Sequence, residues 1–139
     1  MKILIICTGN SCRSQMAEAF LQSFDSNLIV CSAGTEPEDK VDDMAIAVMK
    51  EVGIDISQKS PKSVEKYINE YWDYVITVCD NAKENCPVFL GDVQHRIHIG
   101  FEDPSNIQGA DEFRLSEYRR IRDEIKEKFF QLYNEIIDQ

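Results

Sequence analysis

Apolar and polar positions along the chain follow two alternating periods. Ile3-Leu4-Ile5-Ile6 is an unbroken apolar run, the pattern of a strand covered on both faces. From Ser14 to Phe24 the spacing becomes helical, with Met16, Ala17, Phe20, Leu21 and Phe24 on one side. Leu28 to Ala33 predicts a second strand, ended by Gly34. Met44, Ala45, Val48, Met49 and Val52 mark a second helix, with Gly53 placed to close it as the residue just past its end. Ser60-Pro61 opens a third, weaker helix running to about Tyr71, since proline is tolerated in a first turn. Tyr74 to Val78 is a β-branched third strand, and Arg96 to Ile99 alternates as an edge strand should. The last helix is the clearest: Tyr118, Ile121, Ile125, Phe129, Leu132 and Ile136 share a face, with Glu124 and Lys128 paired on the wet side.

Strands alternating with helices imply right-handed crossovers and a parallel sheet between helical layers. The expected architecture is a three-layer α/β/α sandwich around a four-stranded parallel sheet. At 139 residues the chain suits one domain spanning 1–139, without repeats or linkers. Sites in such folds lie at the carboxyl ends of strands. The first predicted strand ends at Cys7 and the third at Cys79, so these two cysteines are expected on one rim.

Charge and composition narrow the function classes. A net charge of −10, from 15 basic and 25 acidic residues, argues against nucleic acid as a partner. No apolar run approaches the roughly 20 residues that span a bilayer. The opening Met1 to Ile6 is too short for a signal peptide, so a cytoplasmic protein is expected. Five cysteines is an odd number, which suits reduced thiols better than a structural disulfide framework.

The segment Cys7-Thr8-Gly9-Asn10-Ser11-Cys12-Arg13-Ser14 joins a predicted strand to a predicted helix. A helix N-terminus presents unpaired N–H groups, and Gly9 and Asn10 tolerate positive φ, so the backbone can curl its amides inward. Such a ring binds a tetrahedral oxyanion, and Arg13 can grip two of its oxygens through a planar fork. A cysteine in that field is expected to have a depressed pKa. Ser14 is placed either to cap the helix or to donate to the thiolate. The competing reading, a buried cysteine before an ordinary turn, is disfavoured by Cys and Arg six positions apart with glycine between them.

Cys-x5-Arg-Ser at the start of the chain resembles the low-molecular-weight protein tyrosine phosphatases and the thioredoxin-coupled arsenate reductases built on that fold. The longer string Cys7-Thr-Gly-Asn-Ser-Cys-Arg-Ser-Gln-Met-Ala-Glu18 is similar to the reductases in particular, and the resemblance covers nearly the whole chain, including Ser32-Ala33-Gly34, Glu51-Val-Gly-Ile-Asp-Ile-Ser57 and Arg120-Ile-Arg-Asp-Glu-Ile125. The resemblance implies that Asp103, before Pro104, is the general acid. It implies that Cys79 and Cys86, a pair typical phosphatases lack, complete a relay. In that scheme Cys7 attacks arsenate, Cys79 attacks the sulfur of Cys7 as arsenite leaves, and Cys86 moves the disulfide outward to thioredoxin. Phosphate and sulfate would compete for the loop formed by Thr8 to Ser14. No cofactor is implied, and a monomer is expected. Some of these reductases bind potassium through Asn, Glu, Ser and Asp. Asn10, Glu18 and Ser32 match, but Lys62 stands where the Asp would be, so no potassium requirement is expected. The alternatives are a tyrosine phosphatase working through a phosphocysteine at Cys7, or a redox-sensing binding protein. Zinc is disfavoured, because the cysteine spacings do not form a tight knuckle and His95 and His98 should face opposite sides of a strand.

Overall fold

The computed structural model describes residues 1–137. Four strands form one sheet: β1 (Lys2–Cys7), β2 (Ile29–Gly34), β3 (Trp72–Thr77) and β4 (Val93–His98). Their order is β2-β1-β3-β4 and every pairing is parallel. Four helices connect and cover them: α1 (Arg13–Phe24), α2 (Asp43–Glu51), α3 (Asp80–Asn85) and α4 (Asp111–Ile137). Ile3, Leu4, Ile5 and Ile6 are each 0% exposed. Successive strand residues point to opposite faces, so both faces of β1 are covered and the sheet is the middle layer of an α/β/α sandwich.

α1 packs against β1, β2 and α4, and α2 packs against α4. Trp72, Tyr118, Phe20 and Phe129 are the largest fully buried side chains. Tyr118 is also tied by its hydroxyl to Asp42 Oδ2 at 2.6 Å, which anchors α4 to the entrance of α2. Asp42 caps α2 in turn, accepting from Met44 N at 2.8 Å. Buried Arg122 on α4 donates to Val48 O and Glu51 Oε1 and so closes the other end of α2.

The structure departs from the sequence expectation at one predicted helix and adds detail at two further elements. The helix expected over 60–71 is absent, and only a single 3-10 turn forms at Val64–Lys66. Tertiary partners take the backbone groups a helix would need. Lys62 N donates to Asn10 Oδ1 at 2.9 Å, Lys62 O accepts from Gly34 N at 2.7 Å, and Tyr67 O accepts from the Trp72 indole at 3.0 Å. The polar stretch after Cys79 contains α3, in which only Ala82 is buried. The last helix extends ahead of its apolar stripe to Asp111, with Asp111 and Glu112 in its first turn where acidic side chains suit the helix dipole.

Candidate active site

β1 delivers Cys7 to the rim of the sheet, where it is 2% exposed. Its sulfur accepts from Asn10 N at 3.2 Å and lies 2.9 Å from Ser14 Oγ. The loop can wrap the sulfur because Asn10 adopts φ 52°, the left-handed region an asparagine tolerates. The loop is zipped from outside: Thr35 N, Glu36 N and Glu38 N donate to Cys7 O, Thr8 O and Gly9 O at 3.1, 2.9 and 2.9 Å. Gly34 is required at the start of that zipper, since a Cβ there would sit 2.5 Å from Thr8 O.

Behind the loop lies a buried hydrogen-bond chain whose polarity follows from its members. Asn10 Oδ1 accepts from Lys62 N, which fixes the amide orientation and leaves Nδ2 as the donor. Nδ2 donates to Ser14 Oγ at 2.7 Å and to Ser32 Oγ at 2.9 Å. Ser32 passes its own proton to Glu18 Oε1 at 2.8 Å, and Glu18 Oε2 receives the Lys59 ammonium at 2.5 Å. Ser14 therefore has its hydroxyl proton left for Cys7. It acts as donor to the sulfur rather than as a helix cap; the N-cap residue of α1 is Cys12, which makes no side-chain capping bond. The ammonium beside Glu18 comes from Lys59, whereas Lys62 Nζ turns to Ser60 O. With that ion pair in place, the Asn10, Glu18 and Ser32 set does not fit a potassium ion.

Arg13 reaches over the loop. Its Nη1 donates to Phe101 O at 3.0 Å and its Nη2 lies 3.4 Å from Asp103 Oδ2. Asp103 is held from the other side by Ser105, whose N–H and hydroxyl both donate to Oδ1, at 3.0 and 2.7 Å. Cys7, Arg13 and Asp103 thus converge on one cavity of about 300 Å³, which Thr8, Gly9, Ser11 and Cys12 also line. Asn10 and Ser14 shape this cavity from behind and are fully buried.

Cys79 lies two residues past the end of β3, the strand that pairs with β1, so it stands near the rim that the strand-end argument predicts. Its sulfur is 3.3 Å from Thr8 Oγ1, in direct contact with the anion loop. The same sulfur caps α3 by accepting from Ala82 N at 3.4 Å. Cys86 lies at the far end of α3, half-buried in a separate recess with Lys83, Arg96 and His98. All five cysteines are free thiols. Among the described residues no group of three or more His, Cys, Asp or Glu side chains could hold a metal. His95 stacks on Tyr74, and His98 bridges Thr77 Oγ1 and Asp80 Oδ1.

The depressed Cys7 pKa expected from the loop is not what the folded chain gives. Burial pushes the thiol up, against the lowering pull of the Ser14 hydroxyl, the Ser14 and Asn10 amides and Arg13. Burial lifts Cys12 well above the usual thiol range, with Asp42 and Asp103 adding to the effect, which suits a scaffold role. Burial also raises Cys86, partly offset by Arg96. Sequence reading passed over Lys59, Glu36, Glu38 and Asn81. The glutamates follow Gly34 in an unremarkable polar run, and the partners of Lys59 and Asn81 are distant in sequence.

Residues 2–139 match the family described as low molecular weight phosphotyrosine protein phosphatase. The arsenate reductase of Halalkalibacterium halodurans is 40% identical over 124 residues, covering 88% of each chain. A solved structure described as an arsenate reductase in the phosphate binding state superposes with a TM-score of 0.80 at 32% identity, over 97% of this chain and 98% of that one. A Corynebacterium glutamicum thioredoxin-dependent arsenate reductase gives a TM-score of 0.70 at 27% identity, over 99% of this chain and 62% of that one. No helix among the described residues is long and apolar enough to cross a membrane.

Proposed function

Because this chain belongs to the low molecular weight phosphotyrosine protein phosphatase family, we propose that it works from that family's anion loop as an arsenate reductase. The observation that carries the reading is Cys79. Its sulfur touches Thr8 of the Cys7 loop, and a second thiol, Cys86, waits at the other end of the helix it caps. A hydrolase has no use for that pair, and a two-electron reduction does. The relatives named arsenate reductase add independent support.

In the proposed reaction the loop amides and Arg13 hold arsenate against Cys7. The buried thiol gives up its proton to the arriving oxyanion, and the sulfur attacks arsenic with Ser14 donating to it. Asp103 hands a proton to the departing oxygen, which leaves as water. Cys79 then attacks the sulfur of Cys7, its proton passing to an oxygen of the arsenic group. The S–As bond breaks, its electron pair stays with arsenic, and arsenite leaves as a Cys7–Cys79 disulfide forms. Cys86 attacks Cys79, releasing the Cys7 thiol and leaving a Cys79–Cys86 disulfide for a dithiol reductant of the thioredoxin type. The site is expected to admit phosphate and sulfate as competitors, and to need neither metal nor organic cofactor.

The test is arsenate-dependent oxidation of NADPH in the presence of thioredoxin and thioredoxin reductase, for wild type and Cys86→Ser. Wild type should turn over many times and the variant at most once per chain. Hydrolysis of p-nitrophenyl phosphate far above arsenate turnover, and unaffected by that substitution, would show a phosphatase instead.

A further inference from the structure

The wall of the Cys7 cavity carries one cation, Arg13, against three carboxylates, Glu36, Glu38 and Asp103. Among the described residues, no aromatic or aliphatic side chain lines it. That is an unusual wall for an anion pocket and a poor one for an organic substituent, which needs apolar surface to rest on.

Glu38 meets the anion loop through its backbone and through its side chain. Its N–H donates to Gly9 O at 2.9 Å. Its side chain lies along Gly9, where an added Cβ would meet Glu38 Cγ at 3.0 Å, Cδ at 3.1 Å and Oε2 at 3.4 Å. The carboxylate therefore sits on the rim of the loop, in solvent on one side and lining the cavity on the other. Asn81, Asp103 and Ser105, all polar, line the same cavity.

We infer that Glu38 is a specificity-determining residue that reserves the Cys7 pocket for bare tetrahedral oxyanions and turns away organic phosphate esters. The inference rests on the arsenate reading and deepens it by naming the substrate class. An ester bound with its phosphoryl group in the loop must lead its organic group out past Glu38. Apolar surface would then strip water from a carboxylate with no partner to replace it, a cost an aryl ring does not recover. A bare oxyanion presents only oxygens and leaves the rim hydrated. Negative charge at the rim weakens binding of both substrate types, so discrimination comes from the ester's organic group.

The experiment compares kcat and KM for p-nitrophenyl phosphate with those for arsenate, the latter with thioredoxin, thioredoxin reductase and NADPH. It uses wild type, Glu38→Gln and Glu38→Leu. Glutamine keeps the shape and removes the charge, while leucine supplies an apolar wall. Glu38→Leu should raise kcat/KM for the ester by about tenfold, through KM, and shift the ester-to-arsenate ratio by the same order. Glu38→Gln should help both substrates by a factor that shrinks as salt rises, and should also shift the ratio toward the ester, by less than leucine does, because an amide costs less to desolvate than a carboxylate. A purely structural role would change kcat for both substrates together and leave the ratio where it was. An unmoved ratio in Glu38→Leu, or a wild type that handles the ester as efficiently as arsenate, would overturn the inference. If wild type fails to turn over arsenate, the functional reading falls. The KM for the ester then decides on Glu38 alone: a lower value in Glu38→Leu supports the inference and an unchanged one overturns it.

Discussion

Lys59→Met tests whether the charge at the end of the buried chain governs the nucleophile at its start. The Glu18 side chain is 8% exposed and that of Lys59 35%, with 2.5 Å between their charged atoms. Removing one partner of a fully buried ion pair costs about 3–5 kcal/mol. Because Lys59 retains a third of its exposure, water softens the loss, and about 2 kcal/mol is the expected fall in unfolding free energy. Two escapes are open to the stranded carboxylate. It can bind a proton, or it can draw in water and loosen Ser32 and then Asn10. Either way the order of donors that leaves Ser14 pointing at Cys7 weakens. A hydrogen bond to a charged group contributes about 1.5–3 kcal/mol, so partial loss raises the Cys7 pKa further by up to about one unit. The assay pairs denaturant melts with the pH dependence of Cys7 alkylation by iodoacetamide, in wild type, Lys59→Met, Glu18→Gln and the double variant. The double variant removes both charges and should recover most of the stability, giving a coupling energy of about 2 kcal/mol. A coupling below about 0.5 kcal/mol with an unmoved alkylation profile would refute the reasoning, because Lys59 would then be a solvated side chain resting near Glu18. Wild-type turnover, with the ammonium already in place, should be indifferent to exchanging sodium for potassium.

Two further outcomes follow from buried geometry. Gly34→Ala puts a Cβ 2.5 Å from Thr8 O and 3.1 Å from Asn10 N, so the anion loop has to move; a stability loss of about 2 kcal/mol or more and a large rise in KM for arsenate are expected in melts and turnover assays. Stability should also fall at alkaline pH. Cys7 and Cys12 are raised by burial above the ordinary thiol value of 9.0, and Tyr67 is pushed from 10.0 to about 12, chiefly by burial. An acid whose folded pKa lies above its unfolded one contributes stability below the unfolded value and loses it as pH rises toward the folded one. Melting temperature should hold to about pH 8.5 and then decline through pH 9–11; a flat profile there would contradict the burial assigned to these groups.

What was readable in the sequence is what local pattern decides. β1 and β3 are covered on both faces, so their apolar runs are continuous, and Cys7 and Cys79 sit where those runs stop. Cys7 and Arg13 declared themselves by spacing across a glycine-bearing loop. The failed helix over 60–71 shows the limit. Val64, Tyr67 and Ile68 recur at helical intervals, and Val64 and Tyr67 are indeed buried. Their backbone groups go instead to Asn10, Gly34 and Trp72, which no local pattern reveals. Lys59 was missed for the same reason, since Glu18 is 41 positions away. The pKa of Cys7 was misjudged in direction because loop amides and Arg13 are visible in a sequence while the depth of burial is not.

The proposed relay also has a geometric consequence for α3. Cys79 and Cys86 are its two caps, and the intervening six-residue helix rises about 1.5 Å per residue. The cap-to-cap distance is thus on the order of 10 Å, beyond the roughly 7 Å between α-carbons that a disulfide permits. While α3 is folded, the pair cannot close, and Cys79 stays against the hydroxyl of Thr8, the residue after Cys7. For Cys86 to attack Cys79, the helix has to unwind. Little opposes that: six residues are too few for a stable isolated helix, and Ala82 is its only buried side chain. In the proposed first step the Cys79 cap would be lost, because a sulfur bonded to Cys7 is drawn away from the position that Ala82 N requires. Formation of the first disulfide thus removes the bond that starts the helix, and the order of the two exchanges follows from where one sulfur accepts its hydrogen bond.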